Sequence, residues 1–564
     1  MESREASTRV ERQRSGSSPF TSAASGAPAP SARDRDPRRR LGAFYTPRTT
    51  AEVMTEWVLR SSSDRILEPS FGDGSFLAAL SRLALARGWR DVEALGVEID
   101  EKPYEEALSR ALIPRDRAIR ADFLALEPFP VDAVLGNPPY VRLRHLPRDQ
   151  RERALRITKE VLGIPMQSSG SVWMPFVLHA SRFLRPGGRF ALVLPYELTY
   201  VRYARALWEY LGATFGGLTV LRAHGRLFPK ILQETVVVLA DGRGRGTSVV
   251  DLKAFDTAAD LAAERPVAQT SISLDRIVTG ERVFLEGLLS RPLQDLLRDK
   301  VPDVTSAAEE VVDFRIGYVA GHKDFFHPDA PTVLEHGLPA RTLVPAVTST
   351  RRLKGAGLFT SGLAEDGFER LFLPPSSRDL SVQEAAYIAL GERRGIHRRY
   401  KCSVRRPWFV VPLVEFPDVI LSVFCELPLL MLNDDRFAAS NSLLCGYLRP
   451  GRDPSAFAAS WYTSLTALQC ELHVHSLGGG VLVLVPNEAR KVRIAPLDET
   501  SSDHLPHVDR LLRARRLKDS YSAGNKPVLQ RRCGLTRTEV SLIEEGVDTL
   551  RRWRSGRRPV VSRS

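Results

Sequence analysis

From residue 42 to residue 246, short apolar runs alternate with amphipathic stretches. Strands that alternate with helices are joined by crossovers and therefore run parallel, which confines this segment to a doubly wound α/β sheet. Strands are expected at 65–68, 94–98, 133–136, 189–194 and 235–239, and helices at 50–61, 75–87, 104–111, 173–184 and 203–211. Ligands bind such a sheet at the carboxyl-terminal ends of its strands. The residues that follow each strand are thus the place to look for chemistry.

Four successive strand ends carry ligand-type residues. The first runs from Glu68 through Pro69-Ser70-Phe71-Gly72-Asp73-Gly74, where glycines let a ligand approach the backbone before a helix begins. The second ends in Glu98-Ile99-Asp100, with Glu98 placed 24 residues past Gly74, where a carboxylate would hold a ribose diol. The third end, Ala121-Asp122-Phe123, offers a carboxylate for an adenine amino group and an aromatic wall. The fourth is Asn137-Pro138-Pro139-Tyr140, which closes the run Asp132-Ala133-Val134-Leu135-Gly136.

That fourth end suits a planar amino group, whose lone pair is delocalised and poorly nucleophilic. The side-chain oxygen of Asn137 and the carbonyl of Pro138 would each accept one N–H, drawing the lone pair back onto nitrogen. Pro138 and Pro139 fix φ near about −65° and pre-aim that carbonyl. Tyr140 would stack on the ring that carries the amine. An Asn-Pro turn after a strand has the same composition, so the weight comes from the ordered set of four ends and not from this one.

Composition bounds the remainder. At 564 residues the chain exceeds one compact core. Its longest apolar runs are strand-sized, below the roughly 18 residues of a membrane span, and no secretory signal is expected at the N-terminus, so a cytoplasmic location is the expectation. Cys402, Cys425, Cys445, Cys470 and Cys533 form no C-x-x-C pair, which argues against a disulfide framework or a zinc site. Cys470-x-x-His473-x-His475 is read as alternation along a strand, and no metal is assigned. The net charge of +13 sits mostly in the termini, about +4 in residues 1–40 and +8 in residues 503–564. Two internal basic clusters are candidates for phosphate contact: Arg142, Arg144, Arg148 and Arg151, and the arginines between 393 and 406.

Residues 1–40 lack bulky apolar side chains and are expected to form a disordered basic arm. The α/β unit is expected over 41–246, ending at the Gly-rich run 242–246. Residues 247–500 lose the βα rhythm and read as an irregular α+β domain. Residues 501–564 read as basic helices with Gly and Pro breaks.

The motifs of residues 42–240, in order and spacing, resemble the gamma-class N6-adenine DNA methyltransferases of restriction–modification systems, which are class I S-adenosylmethionine-dependent enzymes. The resemblance rests on "GAFYTP", "ILEPSFGDGSFL", "GVEID", "ADFL", "GNPPYVR", "FVLHASRFLRPGGRFALVLP" and "LFPKILQETVVVLA". It implies a Rossmann-like methyltransferase sheet, then a target-recognition domain over 247–500, where "IGYVAGHKDFF" and "YKCSVRRPWFVVP" are similar to that group, then the basic helical tail. It implies S-adenosylmethionine as cofactor, bordered by Thr46, Glu68, Ser70, Gly72, Gly74, Glu98, Ile99, Asp122, Phe123, Asn137 and Phe176. Asn137, Pro138, Pro139 and Tyr140 would be catalytic, and Tyr140 and Phe228 would sandwich an adenine flipped out of duplex DNA, with Arg142 and Arg144 beside it. A separately encoded restriction endonuclease is a compatible partner. Ser70-Phe71 departs from the small residues common in this turn.

Three rivals share parts of this pattern. Protein glutamine methyltransferases also use N-P-P-Y on a side-chain amide, but usually carry a helical domain before this fold and little after it. RNA methylation is a second rival. A catalytically dead DNA-binding subunit is the third, and the intact N-P-P-Y and carboxylates argue against it.

Overall fold

The computed structural model describes residues 46–223, 234–363, 369–376, 379–412, 414–477, 480–497 and 502–555. The arm expected over 1–40 and the Phe228 site lie outside the described residues.

Nine strands form one mixed sheet. They are β1 (Arg65–Glu68), β2 (Glu93–Glu98), β3 (Ala118–Arg120), β4 (Val131–Gly136), β5 (Leu184–Pro195), β6 (Phe215–Ala223), β7 (Thr235–Arg243), β8 (Val249–Phe255) and β9 (Ala268–Ser273). Their order is β3-β2-β1-β4-β5-β7-β6-β8-β9. The first five run parallel, and β7 lies antiparallel between β5 and β6. The chain reverses direction of growth between β1 and β4, which opens the crevice where such sheets take ligands.

Alternation along the strands divides the core. Ile66, Ala133, Leu135, Ala191 and Val193 face a cluster with Met54 and Val58 of α1 (Arg48–Val58) and Phe76 and Leu80 of α2 (Ser75–Ala86). Their neighbours Leu67, Val134, Phe190 and Leu192 face the opposite side, towards α5 (Trp173–Phe183) and α6 (Ala204–Thr214). Between them in the chain come α3 (Glu101–Ser109) and α4 (Arg148–Leu162). Every expected strand and helix of this half is present, with ends shifted by a few residues.

Two expected boundaries are corrected. The Gly-rich run 242–246 does not end the unit: it turns the chain from β7 into β8, which pairs parallel with β6, and β9 then closes the edge. Glycine there supplies positive φ at Gly242 and Gly244, which a tight reversal needs as much as a linker does. Residues 502–555 do not stand apart after the boundary expected at 500 but pack on the second half. The helix Arg537–Ser555 packs on the helix Ser464–His473 with Ile543, Val547 and Leu550 buried, and Asn525 donates to Ser464 (2.8 Å) and Glu544 (2.9 Å).

The second half is built of small sheets and short helices. The largest sheet aligns Val312–Ile316, Leu443–Leu448, Val419–Ser422 and Leu430–Leu432, all antiparallel. Cys470 and His473 belong to the helix Ser464–His473 and not to a strand, because Thr463 caps it by accepting from the Thr466 N–H. Among the described residues no cluster of His, Cys, Asp and Glu could hold a metal ion, and all five cysteines are free and buried. No described helix is long and apolar enough to cross a membrane. One apolar core runs from Leu67 through Trp208, whose ring is tilted 5.6 Å from Phe284, to Trp553.

The end of α1 is locked to the sheet by a buried ion pair. Asp64 accepts from Arg189 (2.5 Å) and from the backbone N–H groups of Arg60 (2.8 Å) and Ser61 (2.9 Å), while Arg189 Nε donates to the Val58 carbonyl (2.6 Å). Removing one partner strands the other charge away from water. Asp64→Ala is therefore expected to lower the unfolding free energy by about 3–5 kcal/mol in urea titration, with the slope against denaturant unchanged.

Candidate functional site

A cavity of about 310 Å³ opens at the carboxyl-terminal edge of the sheet, bordered by the ends of β1, β2, β3 and β4. The turn after β1 takes its shape from two glycines in the left-handed region, Gly72 (φ +50°) and Gly74 (φ +72°). At Gly74 a Cβ would also lie 2.6 Å from Leu112, so the residue serves the turn and does not itself line the cavity. Phe71, the departure noted in this motif, is buried in a cluster with Leu77, Tyr104 and Ile113. Gly96 of β2 makes room for it, since a Cβ there would sit 2.8 Å from its ring. The large residue in the turn and the missing side chain on the neighbouring strand are one packing solution.

Five carboxylates line this space, Glu68, Asp73, Glu98, Asp100 and Asp122, and three of them stand at strand ends with distinct partners. Glu98 is buried and accepts the Gly72 N–H on one oxygen and the Asp100 N–H on the other, each at 2.9 Å. Burial raises its carboxyl above the ordinary value, and those two hydrogen bonds offset part of the rise. Each oxygen keeps a second lone pair for a hydroxyl donor. Glu68 is 4% exposed, and its Oε2 has no hydrogen-bond partner. Burial first, then the charges of Asp73 and Glu98, push its carboxyl well up. An unpartnered buried acceptor among acidic neighbours is the chemistry of a site for a cationic ligand. Asp122 is already partly engaged: one oxygen accepts the Leu124 N–H (3.0 Å) and the other faces Arg153 (3.0 Å).

The apolar wall is Phe123, buried 5.0 Å from Phe176, while Ile99 stands 47% exposed at the mouth. Thr46 is buried beside Asn137, whose side-chain nitrogen lies 3.5 Å from its hydroxyl. Ser70 joins the first strand end to the fourth by donating to the Asn137 carbonyl (3.3 Å).

At the fourth strand end, Gly136 is needed because a Cβ would press on Pro69 at 3.2 Å. Asn137 and Pro139 line the cavity, while Pro138 and Tyr140 do not. The Tyr140 hydroxyl donates to Asn137 Oδ1 (2.7 Å) and lies 3.0 Å from the Val193 carbonyl. Burial pushes that phenol well up, so it remains a donor. One lone pair of Asn137 Oδ1 is thus oriented by Tyr140, and an amide oxygen has two. This gives Tyr140 a role beyond its ring, which residue type alone did not reveal.

Arg142 is held by Glu197 (3.2 Å), which also accepts from Trp173 Nε1 (3.1 Å) and Tyr203 (2.8 Å). Arg144 donates to the His145 ring (3.2 Å). Neither arginine borders the cavity, although His145 and Gln150 do. Glu197 stands two residues past β5, as Glu98 closes β2, so extending the strand-end rule by one strand would have found it. Nothing in the sequence marks His145 or Gln150.

Residues 35–201 match a family model described as N-6 DNA Methylase, and residues 283–529 match the C-terminal domain of the type II methyltransferase M.Eco57I. The type II methyltransferase M.AccI of Acinetobacter calcoaceticus is 22% identical over 69% of this chain and 72% of its own length. M.TthHB8I of Thermus thermophilus is 29% identical over 38% of this chain, which spans about half (48%) of that relative. Among solved structures, the type IIG restriction endonuclease BpuSI superposes with a TM-score of 0.44 and 15% identity, over 92% of this chain and 67% of that one.

The Phe71–Gly96 fit yields a test of the cofactor-side turn. Gly96→Val places a Cβ 2.8 Å from Phe71 and 2.9 Å from Ile113. The variant is expected to lose about 1–3 kcal/mol of stability in urea denaturation.

Proposed function

We propose that this chain, a member of the N6-adenine DNA methyltransferase family, transfers a methyl group from S-adenosylmethionine to N6 of an adenine flipped out of duplex DNA, as the modification enzyme of a restriction–modification or phage-defence system. The observation that carries this reading is the convergence of Glu68, Glu98, Asp122 and Asn137 on one cavity at the edge of one sheet. A separately encoded restriction endonuclease would be the cognate partner.

The residues fit the cofactor. Glu98 keeps free lone pairs for a ribose diol, Phe123 and Phe176 offer a flat apolar wall, and the unpartnered Glu68 oxygen suits a positive charge. S-adenosylmethionine supplies an electrophilic methyl on a sulfonium, whose positive charge disappears on transfer. The chain's own work is to bind, orient and exclude water.

Asn137 Oδ1 accepts one N–H of the adenine amino group through its second lone pair, while the Tyr140 hydroxyl fixes the orientation of the amide. The Pro138 carbonyl accepts the other N–H, so the nitrogen lone pair turns towards the methyl donor. Tyr140 and Phe228 flank the extruded ring and offset part of the few kcal/mol that unstacking costs. No cysteine lies near this edge, and the reaction needs no covalent enzyme intermediate.

Asn137→Ala and Tyr140→Ala are each expected to abolish methyl transfer while cofactor binding persists; turnover by both variants would end this mechanism. Tyr140→Phe separates the ring from the hydroxyl: it should keep substrate affinity and lower kcat by about 10-fold or more, since it removes one oriented hydrogen bond. Expression in methylation-free bacteria, followed by sequencing with modified-base detection, should reveal one N6-methyladenine motif. Label in RNA or on protein glutamine instead would transfer the activity to a different substrate class.

The raised carboxyls predict a pH dependence. A cation binds the ionised forms of Glu68 and Glu98, so affinity should rise with pH through values above those of ordinary carboxylates, and binding should release protons. Calorimetry in two buffers of different ionisation enthalpy reads that release, and Glu98→Ala should raise the cofactor dissociation constant. For folding the sign is opposite. Carboxyls raised by burial favour the native state while protonated, and this contribution is lost as pH rises from the unfolded value through the folded one.

A further inference from the structure

The two internal basic clusters have different surroundings. In the first, Arg142 is held by Glu197 (3.2 Å) and Arg148 by Glu152 (2.7 Å), and the same helix pairs Arg153 with Asp149 (2.7 Å). The second is built on the helix Val382–Arg393, the turn Ile396–Arg398 and the helix Tyr400–Ser403. Arg393, Arg394, Arg398, Arg399 and Lys401 are all exposed there, and among the described residues none has a carboxylate within ion-pair distance. The adjacent Glu392 is held by Trp408 Nε1 (3.1 Å). Elsewhere on this surface arginines are commonly paired, so five unpaired cations within nine residues stand apart.

The platform beneath them is rigid. Tyr387 stacks on Phe325 at 4.7 Å, Trp408 packs 5.4 Å from the same ring, and Ile396 and Cys402 are buried. Arg405 ties the segment to the preceding loop by donating to the Ala320 carbonyl (2.9 Å) and to that of Val319. Tyr400 (71% exposed) and Val404 (65% exposed) project from the same stretch. Like charges held together on a fixed frame repel one another in the free protein, and a polyanion relieves that repulsion.

We infer that this knuckle, carried by Arg393, Arg394, Arg398, Arg399 and Lys401, is the surface on which the second half of the chain grips the phosphate backbone of duplex DNA, with Tyr400 set against the sugar–phosphate edge. The inference rests on the DNA methyltransferase reading and adds to it which residues hold the duplex. These contacts position the duplex and carry no sequence information.

The test compares Arg394→Gln/Arg398→Gln with a charge-matched control, Arg90→Gln/Arg115→Gln, whose exposed residues precede β2 and β3. Binding of mixed-sequence duplex DNA is measured across a salt series for the full chain. The knuckle variant should lose about two units of the slope of log affinity against log salt, and about ten-fold or more in affinity at physiological salt. Its KM for DNA should rise, while kcat at saturating DNA and cofactor affinity stay at the wild-type values. The control should behave as wild type. An unchanged salt slope in the knuckle variant overturns the inference and leaves the function intact. Equal losses in the control also overturn it, by reducing the effect to net charge. Failure of the wild type to methylate or bind any DNA, with acidic peptide bound at the knuckle instead, rejects the function reading and the inference together.

Discussion

Parallel strands deliver their carboxyl-terminal ends to a single edge, and this constraint organises the rest of the molecule. Because β1 and β4 are neighbours that lead away in opposite directions, their two loops part and leave a crevice between them. The loop after β1 meets Glu98 from β2, and the loop after β4 meets Thr46 and Ser70. Glu68, Glu98, Asp122 and Asn137, far apart in sequence, become neighbours without any loop having to be long. The same geometry forces acidic groups together, so the site is preloaded with negative potential before a ligand enters.

That potential has a structural counterweight in the hydrogen bonds around it. The Gly72 N–H of the first turn and the Asp100 N–H after β2 hold Glu98, and Arg153 of α4 meets Asp122. Glu68 alone retains an unmatched oxygen. Elsewhere among the described residues the buried carboxylates Asp64, Glu384 and Glu471 each face an arginine. The unmatched oxygen is therefore a local exception at the place where a cation is wanted.

The catalytic half was legible because its strands are short and apolar and their ends carry distinctive residues. Glu68, Glu98 and Asp122 could be placed by counting from the strands. What escaped the sequence depended on partners distant along the chain. The hydroxyl contact of Tyr140 needs Val193 on β5, and Phe71 makes sense only beside Gly96. Glycines at 242–246 resembled a linker because a tight turn and a flexible joint ask for the same residue. The helix containing Cys470 resembled a strand because it is buried on all sides, which erases the amphipathic period. In the second half, sheets of two to four short strands leave little pattern to read beyond a few motifs and the charge cluster between 393 and 406.

The helix Arg537–Ser555 joins what the chain makes early to what it makes late. Arg222 lies over Trp553 (5.2 Å) and over Tyr196 (4.1 Å) just past β5, and the residue after Trp553, Arg554, pairs with the buried Glu471 (2.6 Å). On the ribosome the sheet can assemble first, since its strands emerge first. Glu471 must wait for its cation until nearly all the described chain has been made, and a carboxylate buried without one is destabilising by about 3–5 kcal/mol. Synthesis that stops short of this helix would leave a formed catalytic sheet attached to a poorly closed second half, an open product exposed to proteases. The second half therefore reaches its charge balance only when this helix is in place.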